Sequence, residues 1–285
     1  MKITFIVEGN LADKTIKEYF ALQGLSTTEI KRFKYDGHIW ANGAAVTVRY
    51  KMKLGDKMEF VTNERLQTPT FAKEPAQLLY VDKYLYVAYK PYGVAIHPDL
   101  KYHEETFGNM LATTFGKDFV LHVITRLDKT TDGLVLGALD EITAQRLNDM
   151  QYYHKIKKTY LATVEGCLEG NGQIDLPLSR QGNKTIVDQG GKNALSFYRA
   201  VCHNNNTTLV QLTLGTGRTH QLRAHLSAIG HPIVGDKLYG ATTSGNIELH
   251  CVKLCFAHPH TGQQVVVELP PIVQFILNKK GTPKN

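Results

Sequence analysis

A segment without hydrophobic periodicity, LQTPTFAKEP at residues 66–75, constrains most strongly what this chain can fold into. Its two prolines fix φ and remove backbone donors, and it shows neither the two-residue repeat of a strand nor the 3.6-residue repeat of a helix. We interpret it as a linker. The chain has 285 residues, enough for about two domains of roughly 100 to 200 residues each. The sequence therefore predicts a small unit over 1–65 and a larger unit over 76–285.

The composition is that of an average globular protein and favours a polyanionic partner. Hydrophobic residues make up 42% of the sequence, and 33 Lys and Arg against 26 Asp and Glu give a formal charge of +7. Four cysteines are too few for a disulfide framework, which favours a reducing compartment. The N-terminal apolar run is broken at Glu8, and no apolar stretch approaches the ~20 residues needed to cross a bilayer. We therefore expect a cytoplasmic, monomeric protein that is neither secreted nor inserted in a membrane.

The first 65 residues have the pattern of two helices followed by a hairpin. The spacing of apolar residues predicts a helix from Lys14 to Leu25 and a second, short helix from Thr28 to Tyr35. Asn42-Gly43 predicts a tight hairpin turn, because both positions tolerate positive φ, and Gly55-Asp56 predicts a further turn. This arrangement resembles the S4 RNA-binding domain over residues 11–61.

The S4 resemblance implies that basic side chains of this unit face RNA phosphates. The two groups are Lys31, Arg32 and Lys34 on the predicted second helix, and Arg49, Lys51 and Lys53 after the hairpin. The alternative is a solvated charged face without a ligand. At Thr27 the chain departs from the S4 pattern, in which an Arg commonly follows the capping Ser, and this departure implies weaker RNA binding.

In the larger unit, strand patterns outnumber helical ones. Strands are predicted in LLYVDKYLYVAYKP, in KKTYLATVEG, and near 195–202, 208–214 and 264–269. Helices are predicted from Asp140 to about Tyr152 and from His220 to Ala228. Because several neighbouring strands have the pattern of hairpins, we predict an α+β fold with a mixed, largely antiparallel sheet rather than a doubly wound one.

The first motif that could carry chemistry is HVITRLDKTTDGLVLGAL, residues 122–139. Val123 to Asp128 alternates like a strand, and DKTTDG supplies turn residues. Asp128 is the first candidate, because a carboxylate at a strand end beside a turn combines a rigid base with access to substrate. In an extended strand Arg126 lies on the same face, ~7 Å away. We interpret Asp132 as a turn residue that binds its own backbone.

The second motif is LTLGTGRTHQLRAHLSAIGHPIVGDKLYG, residues 212–240. We expect Thr219 to cap the helix, and Arg218 with the first-turn amides to make its start favourable for anions. Leu222 lies on the predicted buried face. Arg223 lies early in the helix, where its side chain could reach a carboxylate on a neighbouring strand. The alternative for Arg223 is a surface ion pair that contributes less than about 1 kcal/mol.

A third candidate is Tyr160, within the predicted strand KKTYLATVEG. The alternative is a packing residue with its hydroxyl at the rim. A carboxylate, an arginine and an aromatic ring together match the needs of a flipped nucleobase, which are a nucleophile, a counter-charge and a stacking face.

Five ordered motifs resemble those of the RluA-type pseudouridine synthases, in which an S4 unit often precedes the catalytic domain. They are KPYGVAIHP, TRLDKTTDGLVLGAL, KKTYLATVEG, GTGRTHQLRAHLSAIGHPIVGDKLYG and LHCVKLCFAHPHTG, which together span residues 90–262. The resemblance implies a pseudouridine synthase catalytic domain with a central cleft. It also implies an enzyme that isomerises uridine in structured RNA to pseudouridine without a cofactor. Ribosomal RNA is the expected substrate, with transfer RNA as the alternative, because relatives with an S4 unit often act on ribosomal RNA.

The resemblance implies a role for each matching residue. Asp128 matches the nucleophile, Tyr160 the residue that stacks on the flipped base and takes part in removing its C5 proton, and Arg223 the partner of the catalytic carboxylate. Leu222 matches a residue of the base pocket, and Arg126 one that holds the target nucleotide extruded. Because a neighbouring Arg favours the charged form of an Asp, we expect Asp128 to be ionised. Attack on the sugar C1′, attack on the base and a glycal route are all compatible with these residues.

Thr125 is a departure from the resemblance, because the family usually has His before the Arg-Leu-Asp motif. We expect the chemistry to survive, and RNA contacts or loop order near Arg126 to differ. The chain also has a group of potential metal ligands, but their spacing matches no zinc template, so we expect no metal. They are His250, Cys251, Cys255, His258 and His260.

Two other functions compete with the enzyme hypothesis. A non-catalytic RNA-binding protein of the same fold is disfavoured by the intact set of Asp128, Tyr160 and Arg223. A glycoside hydrolase acting on nucleosides would need two paired carboxylates, and only Asp132 lies near Asp128 in sequence.

Overall fold

The computed structural model describes residues 2–22, 37–62, 71–97 and 105–270. The chain divides into two compact units, Met1–Thr68 and Pro69–Asn285. The predicted helix from Thr28 to Tyr35 lies outside the described residues, as do Lys31, Arg32 and Lys34 on it.

The first unit has an antiparallel sheet with a helix packed on it. Its described elements are β1 (Lys2–Ile6), α1 (Ile16–Leu22), β2 (Gly37–Ala41), β3 (Ala44–Ala45) and β4 (Lys57–Thr62), with the strands in the order β1-β4-β2-β3. Ile16 and Phe20, one helical turn apart, are buried in the same apolar cluster as Phe60. The hairpin predicted at Asn42-Gly43 is confirmed, since both residues have positive φ, 53° and 82°, and strands β2 and β3 pair across them.

The second unit is built on a ten-stranded sheet. The strands of this sheet are β5 (Gln77–Val81), β6 (Leu85–Lys90), β7 (His122–Val123), β8 (Asp132–Ala138), β9 (Lys157–Glu165), β10 (Asn171–Asp175), β13 (Leu195–Asn204), β14 (Thr207–Leu214), β15 (Leu249–Ala257) and β16 (Gln264–Glu268). Two further strands, β11 (Leu178–Gln181) and β12 (Lys184–Val187), form a separate hairpin. The order is β10-β13-β14-β9-β15-β8-β6-β5, with β16 beside β15 and β7 beside β8. Only β8 with β15 is a parallel pair among the described strands. The predicted α+β fold with a mixed, largely antiparallel sheet is confirmed.

Three described helices accompany this sheet: α2 (Phe107–Phe115), α3 (Glu141–Tyr152) and α4 (Gln221–Ala228), and a 3-10 turn follows at Lys237–Tyr239. Asp140 opens α3 as predicted, because its carboxylate accepts the N–H of Thr143 at 2.8 Å. None of the described helices combines the length and the apolar character needed to cross a membrane.

The strand predicted from Val123 to Asp128 is wrong over most of its length. β7 ends at Val123, and residues 124–131 form the connection to β8. The backbone N–H groups of Ile124 and Thr125 both donate to the carbonyl of Leu136, so the chain leaves the regular ladder at this point. The alternation in the sequence reflects burial in a loop, with exposed Arg126 between buried neighbours.

The parallel pairing of β8 with β15 brings the first residues of β8 beside β15. His250 lies opposite Asp132, and Cys251 lies opposite Gly133. Gly133 has φ of 121°, and a Cβ at this position would collide with the backbone of Cys251. The close approach of β8 and β15 therefore requires glycine.

We predict that Gly133→Ala destabilises the second unit by roughly 3 kcal/mol or more, because a steric clash adds to an unfavourable φ. The free energy of unfolding in urea measures the effect. Gly262→Ala is the matched control, since Gly262 also has positive φ, 72°, but nothing lies within 4 Å of its added Cβ. Equal losses of stability in the two variants would contradict the steric argument.

Candidate active site

A cleft in the second unit collects residues from the loop before β8, from β9, from the end of β14, from α4 and from β15. It encloses about 510 Å³, a volume that includes space open to solvent. The six described residues that the sequence predicts for the site all line it: Arg126, Asp128, Tyr160, Arg218, Leu222 and Arg223. Two further residues line the cleft, Leu249 of β15 and Thr131. They directly precede His250 and Asp132, which lie opposite each other in the parallel strand pair.

Asp128 presents a partly exposed carboxylate to the cleft. Its side chain is 29% exposed, and its Oδ2 lies 3.8 Å from Nη1 of Arg223 and 3.8 Å from Nε2 of His220. Both distances are too long for direct hydrogen bonds, and neither contact involves Oδ1. The carboxylate therefore has a cationic neighbour, and neither of these two contacts occupies Oδ1.

Arg223 is fixed by a second carboxylate, which the sequence analysis did not identify. Its Nε donates to Oδ2 of Asp236 at 2.6 Å, and its Nη2 donates to Oδ1 at 2.8 Å, so the pair is bidentate. Both side chains are buried, Asp236 completely. Burial alone would lower the pKa of Arg223, but the hydrogen bonds and charge of Asp236 outweigh it and raise that pKa. The guanidinium also lies over the ring of Tyr239, 4.9 Å from its centroid.

His220 is a further cleft residue that the sequence analysis did not identify. Burial lowers its pKa, which the carboxylate of Asp128 opposes and the charge of Arg223 reinforces. Its Nδ1 lies 3.0 Å from the hydroxyl of Tyr239, and that hydroxyl accepts the N–H of Thr185. Because the phenol keeps its own proton to donate to Nδ1, we assign the ring proton of neutral His220 to Nε2, the nitrogen that faces Asp128.

Tyr160 forms a buried part of the cleft wall. It lies in β9 opposite Cys251 of β15 and is 5% exposed. Burial raises the pKa of Tyr160 well above 10, and the nearby Cys251 and Asp128 raise it further. The hydroxyl is therefore protonated at neutral pH.

The loop that carries Asp128 is held by a buried lysine. The ammonium of Lys90 donates to the carbonyl of Lys129 at 3.4 Å and to those of Pro91 and Val94 at 2.9 Å. Lys90 is fully buried, and desolvation lowers its pKa to about 8 even though Asp132 and Asp128 favour its charged form. The lysine thus ties the Asp128 loop to the segment that follows β6.

The remaining predicted residues occupy the floor and the rim of the cleft. Leu222 is 5% exposed, whereas Arg126 and Arg218 are exposed. Arg218 donates from Nε to the carbonyl of Asn193 at 3.2 Å, which fixes the direction of its side chain. An apolar floor with cationic groups at its mouth is suited to a base that enters while its phosphates stay outside.

Three local expectations are wrong. Thr219 does not cap α4, because His220 is the N-cap, with φ of 52° and no capping hydrogen bond from its side chain. Asp132 is not a turn residue, because it begins β8. Its carboxylate accepts its own backbone N–H as expected, but it also accepts the Tyr89 hydroxyl at 2.7 Å and contacts Nδ1 of His250 at 2.5 Å. Because the predicted strand is a loop, strand geometry does not bring Arg126 and Asp128 to one face.

Thr125, the departure from the family pattern, is buried rather than directed into the cleft. It is 1% exposed, and its hydroxyl oxygen accepts the N–H of Leu136 at 2.9 Å. Among the described residues no group of three His, Cys, Asp or Glu side chains could hold a metal ion. Cys251 is buried, and burial raises its pKa to about 12.

Asp236 was missed because its role depends on a tertiary contact with Arg223. Asp236 occurs in the GDKLYG stretch of the second motif, where Gly235 has φ of 81°. Neither periodicity nor spacing shows that this Asp is buried against Arg223, 13 positions earlier. The available signal was that Asp236 is the single acidic residue of this motif and follows the apolar stretch PIVG, since a buried carboxylate requires a partner.

The comparisons with known proteins agree on one family. The profile of the family described as RNA pseudouridylate synthase matches residues 84–228. An uncharacterized RNA pseudouridine synthase of Bacillus subtilis strain 168, YjbO, is 33% identical over 90% of this chain and 95% of its own length. The ribosomal large subunit pseudouridine synthase D of Nitrosomonas europaea is 30% identical over 94% of this chain and 84% of its own.

A solved structure shows the same fold. Human RNA pseudouridylate synthase domain containing 1 superposes with a TM-score of 0.61 and 24% identity, over 74% of this chain and 97% of its own.

We predict that Asp236→Asn destabilises the second unit by about 3 to 5 kcal/mol, because the buried charge of Arg223 loses its bidentate partner and keeps only the longer contact of 3.8 Å to Asp128. Urea unfolding measures this change. Glu268→Gln is the matched control, since it removes the acidic partner of an exposed pair with Lys253 and is expected to change stability little. A loss for Asp236→Asn no larger than that for the control would show that the buried pair does not support the cleft.

Proposed function

This chain belongs to the RNA pseudouridylate synthase family, and on that premise we propose that Asp128 is the nucleophile with which it acts. The enzyme isomerises uridine in RNA to pseudouridine. In this reaction the N1–C1′ bond breaks, a C5–C1′ bond forms, C5 loses a proton and N1 gains one. The reaction is redox-neutral and moves atoms only within one nucleotide, so a nucleophile, a proton path and a pocket for the base are the parts it requires.

The observation that carries this proposal is the position of the Asp128 carboxylate. It is partly exposed in the cleft, and a buried guanidinium lies 3.8 Å from one of its oxygens. The positive charge of this neighbour compensates the negative charge of a carboxylate nucleophile inside the cleft. Because Arg223 makes its short hydrogen bonds to Asp236, the Asp128 carboxylate is supported without being held in a bidentate pair. In this proposal Arg223 positions the nucleophile.

We propose that Tyr160 and Leu222 form the pocket for the extruded uracil, with the Tyr160 ring as a stacking face. Stacking and hydrogen bonding are the roles that a protonated phenol supports. For Tyr160 to take the C5 proton, its own proton must pass to an acceptor, and Asp128 lines the same cleft. The hydroxyl therefore serves in proton transfer as a relay rather than as a free phenolate base.

Arg126 and Arg218 are proposed to hold the extruded nucleotide at the mouth of the cleft. A base must leave its stack before the nucleotide can reach a nucleophile inside the cleft, at a cost of a few kcal/mol. Exposed guanidinium groups at the rim can bind the flanking phosphates and offset part of that cost.

We propose that ribosomal RNA is the substrate and that the first unit is an S4-like RNA-binding domain. Support for the substrate comes from the relatives named ribosomal large subunit pseudouridine synthase D, with transfer RNA as the alternative. Support for the domain comes from its sequence resemblance and from three exposed basic side chains, Arg49, Lys51 and Lys53. The proposed contacts of Lys31, Arg32 and Lys34 concern positions outside the described residues.

Tritium release from RNA labelled with [5-³H]uridine tests the nucleophile. We expect the wild-type chain to release tritium from an unmodified large-subunit ribosomal RNA transcript, and Asp128→Asn to reduce the rate by roughly 10³-fold or more while RNA still binds. Asp118→Asn, a change to an exposed acid outside the cleft, is the control. Release by the Asp128 variant at the wild-type rate would remove Asp128 from the mechanism.

The same assay distinguishes the competing functions. A non-catalytic binding protein releases no tritium, and a nucleoside hydrolase yields free uracil. Pseudouridine mapping of total RNA from a deletion strain, complemented with wild type or with Asp128→Asn, then identifies the RNA. Loss of pseudouridine confined to transfer RNA would contradict the ribosomal assignment and leave the chemistry intact.

We predict that replacing Arg49, Lys51 and Lys53 together with Gln weakens RNA binding and lowers the slope of log Kd against log salt by about 2, since each phosphate contact contributes roughly 0.7 to 0.9. Filter binding over a range of salt concentrations measures the slope. The charge-matched control replaces three exposed lysines of the second unit that lie outside the cleft, Lys73, Lys83 and Lys117. Identical slopes for the two triple variants would argue against RNA binding by this face of the first unit.

A further inference from the structure

A second recess adjoins the cleft and has no part in the chemistry above. Its walls include Gln151 and His154, and it encloses about 280 Å³ with the space open to solvent. Lys158, Leu214 and Gly217 line both the recess and the cleft. The cleft and the recess therefore share a wall. An RNA strand with one nucleotide in the cleft would pass close to the recess.

Two exposed tyrosines lie next in the chain to residues of this recess, without lining it themselves. Tyr152 is 77% exposed and Tyr153 is 66% exposed, and their ring centroids are 5.1 Å apart in an edge-to-face arrangement. They stand between Gln151 and His154, so each Cα is about 3.8 Å from that of a residue lining the recess. Single exposed apolar residues are common on protein surfaces, but two adjacent aromatic rings beside a polar recess form a stacking surface.

The charge around the tyrosines suits a polyanion. Lys155 is exposed, and its Nζ lies 6.0 Å from the centroid of the Tyr153 ring. Lys157 and Lys158 follow in β9, and no acidic residue occurs between Tyr152 and Lys158. Asp149, one turn earlier on α3, accepts a hydrogen bond from Gln145 at 3.3 Å. Aromatic faces interleaved with lysines are the usual means of holding single-stranded nucleic acid.

Gln151 adds a polar feature that points to a ligand. It lines the recess, and its Oε1 is buried without a hydrogen-bond partner within the described part of the chain. Buried amide oxygens of this kind are normally satisfied. A nucleobase in the recess would bring N–H donors next to this acceptor.

We propose that Tyr152, Tyr153 and the recess bind a nucleotide adjacent to the target uridine on the same RNA strand. This inference rests on the proposed function, since it requires a uridine extruded into the cleft. Extrusion leaves each neighbouring base with one face unstacked. A tyrosine ring outside the cleft replaces the lost stacking partner, and Lys155 contacts the phosphate beside it. The segment from Tyr152 to Lys158 thus selects a flexible, unpaired context around the target.

Kinetics of matched variants test this subsite. The substrate is the large-subunit ribosomal RNA transcript labelled with [5-³H]uridine. We expect Tyr152→Ala with Tyr153→Ala to raise KM by roughly 5- to 100-fold, the range for loss of base stacking, and to change kcat less than about twofold. The double change to Phe keeps both rings and should retain the wild-type KM. Ile142→Ala, which alters a 65% exposed residue at the opposite end of α3, should also leave KM unchanged.

A second measurement separates this proposal from the assignment of Asp128. Dissociation constants are measured in the Asp128→Asn background, with synthetic stem-loops that carry an abasic site on either side of the mapped uridine. We expect the tyrosine substitutions to weaken binding of the intact stem-loop and to have no effect where the neighbouring base is already missing. Unchanged KM and unchanged Kd for the alanine variant would overturn the subsite, as would equal losses with and without the neighbouring base.

If the wild-type chain released no tritium, the proposed function would fail. Filter binding of the same transcript would still decide the subsite, because tyrosine variants that bind RNA as tightly as wild type exclude it. A loss of RNA binding equal in the alanine and phenylalanine variants would also overturn it, since it would show that stacking is not the source of affinity.

Discussion

The buried pair between Arg223 and Asp236 is the interaction on which the cleft depends. Taking a guanidinium and a carboxylate out of water costs several kcal/mol for each ion, and only good geometry with further contacts offsets that cost. Here two hydrogen bonds of 2.6 and 2.8 Å and the ring of Tyr239 supply those contacts. The pair fixes α4 to the turn that follows it, and it leaves Nη1 of the same guanidinium directed at Asp128.

This arrangement suits the role of nucleophile that we propose for Asp128, a role that places two conflicting demands on a carboxylate. A bidentate pair with Arg223 would keep Asp128 ionised, but it would occupy the oxygens that must react. An isolated carboxylate would have free oxygens but no charge support when a base enters and water leaves. Sharing one guanidinium between two carboxylates gives the short bonds to Asp236 and leaves the longer contact of 3.8 Å to Asp128. Nε2 of His220 lies at the same distance from the same oxygen.

The sequence predicts the sheet class and the residues of the cleft because both are recorded in local patterns and ordered motifs. Asn42-Gly43 specifies a hairpin, and Asp140 a helix start, through backbone chemistry that extends over only a few residues. The loop from residue 124 to 131 is mispredicted because an alternation of buried and exposed side chains is not unique to strands. Asp236 is missed for a different reason. Its role depends on burial against Arg223, which is a tertiary property without a local pattern.

A fully buried lysine, Lys90, helps to hold the loop that carries Asp128. The segment that carries Asp128 has left the sheet, so ladder hydrogen bonds no longer hold it. Lys90 instead donates to the carbonyl of Val94 and to that of Lys129, the residue next to Asp128, which we propose as the nucleophile. A pKa of about 8 in place of 10.5 means that keeping the ammonium charged at neutral pH costs about 3 kcal/mol of folding free energy. A positional error near 1 Å can reduce a catalytic rate about a hundredfold. That factor corresponds to an increase in activation free energy of about 3 kcal/mol, similar to the folding free energy that the charged lysine costs. The burial of charged Lys90 thus lowers the folding stability, and in return it fixes the position of the Asp128 carboxylate.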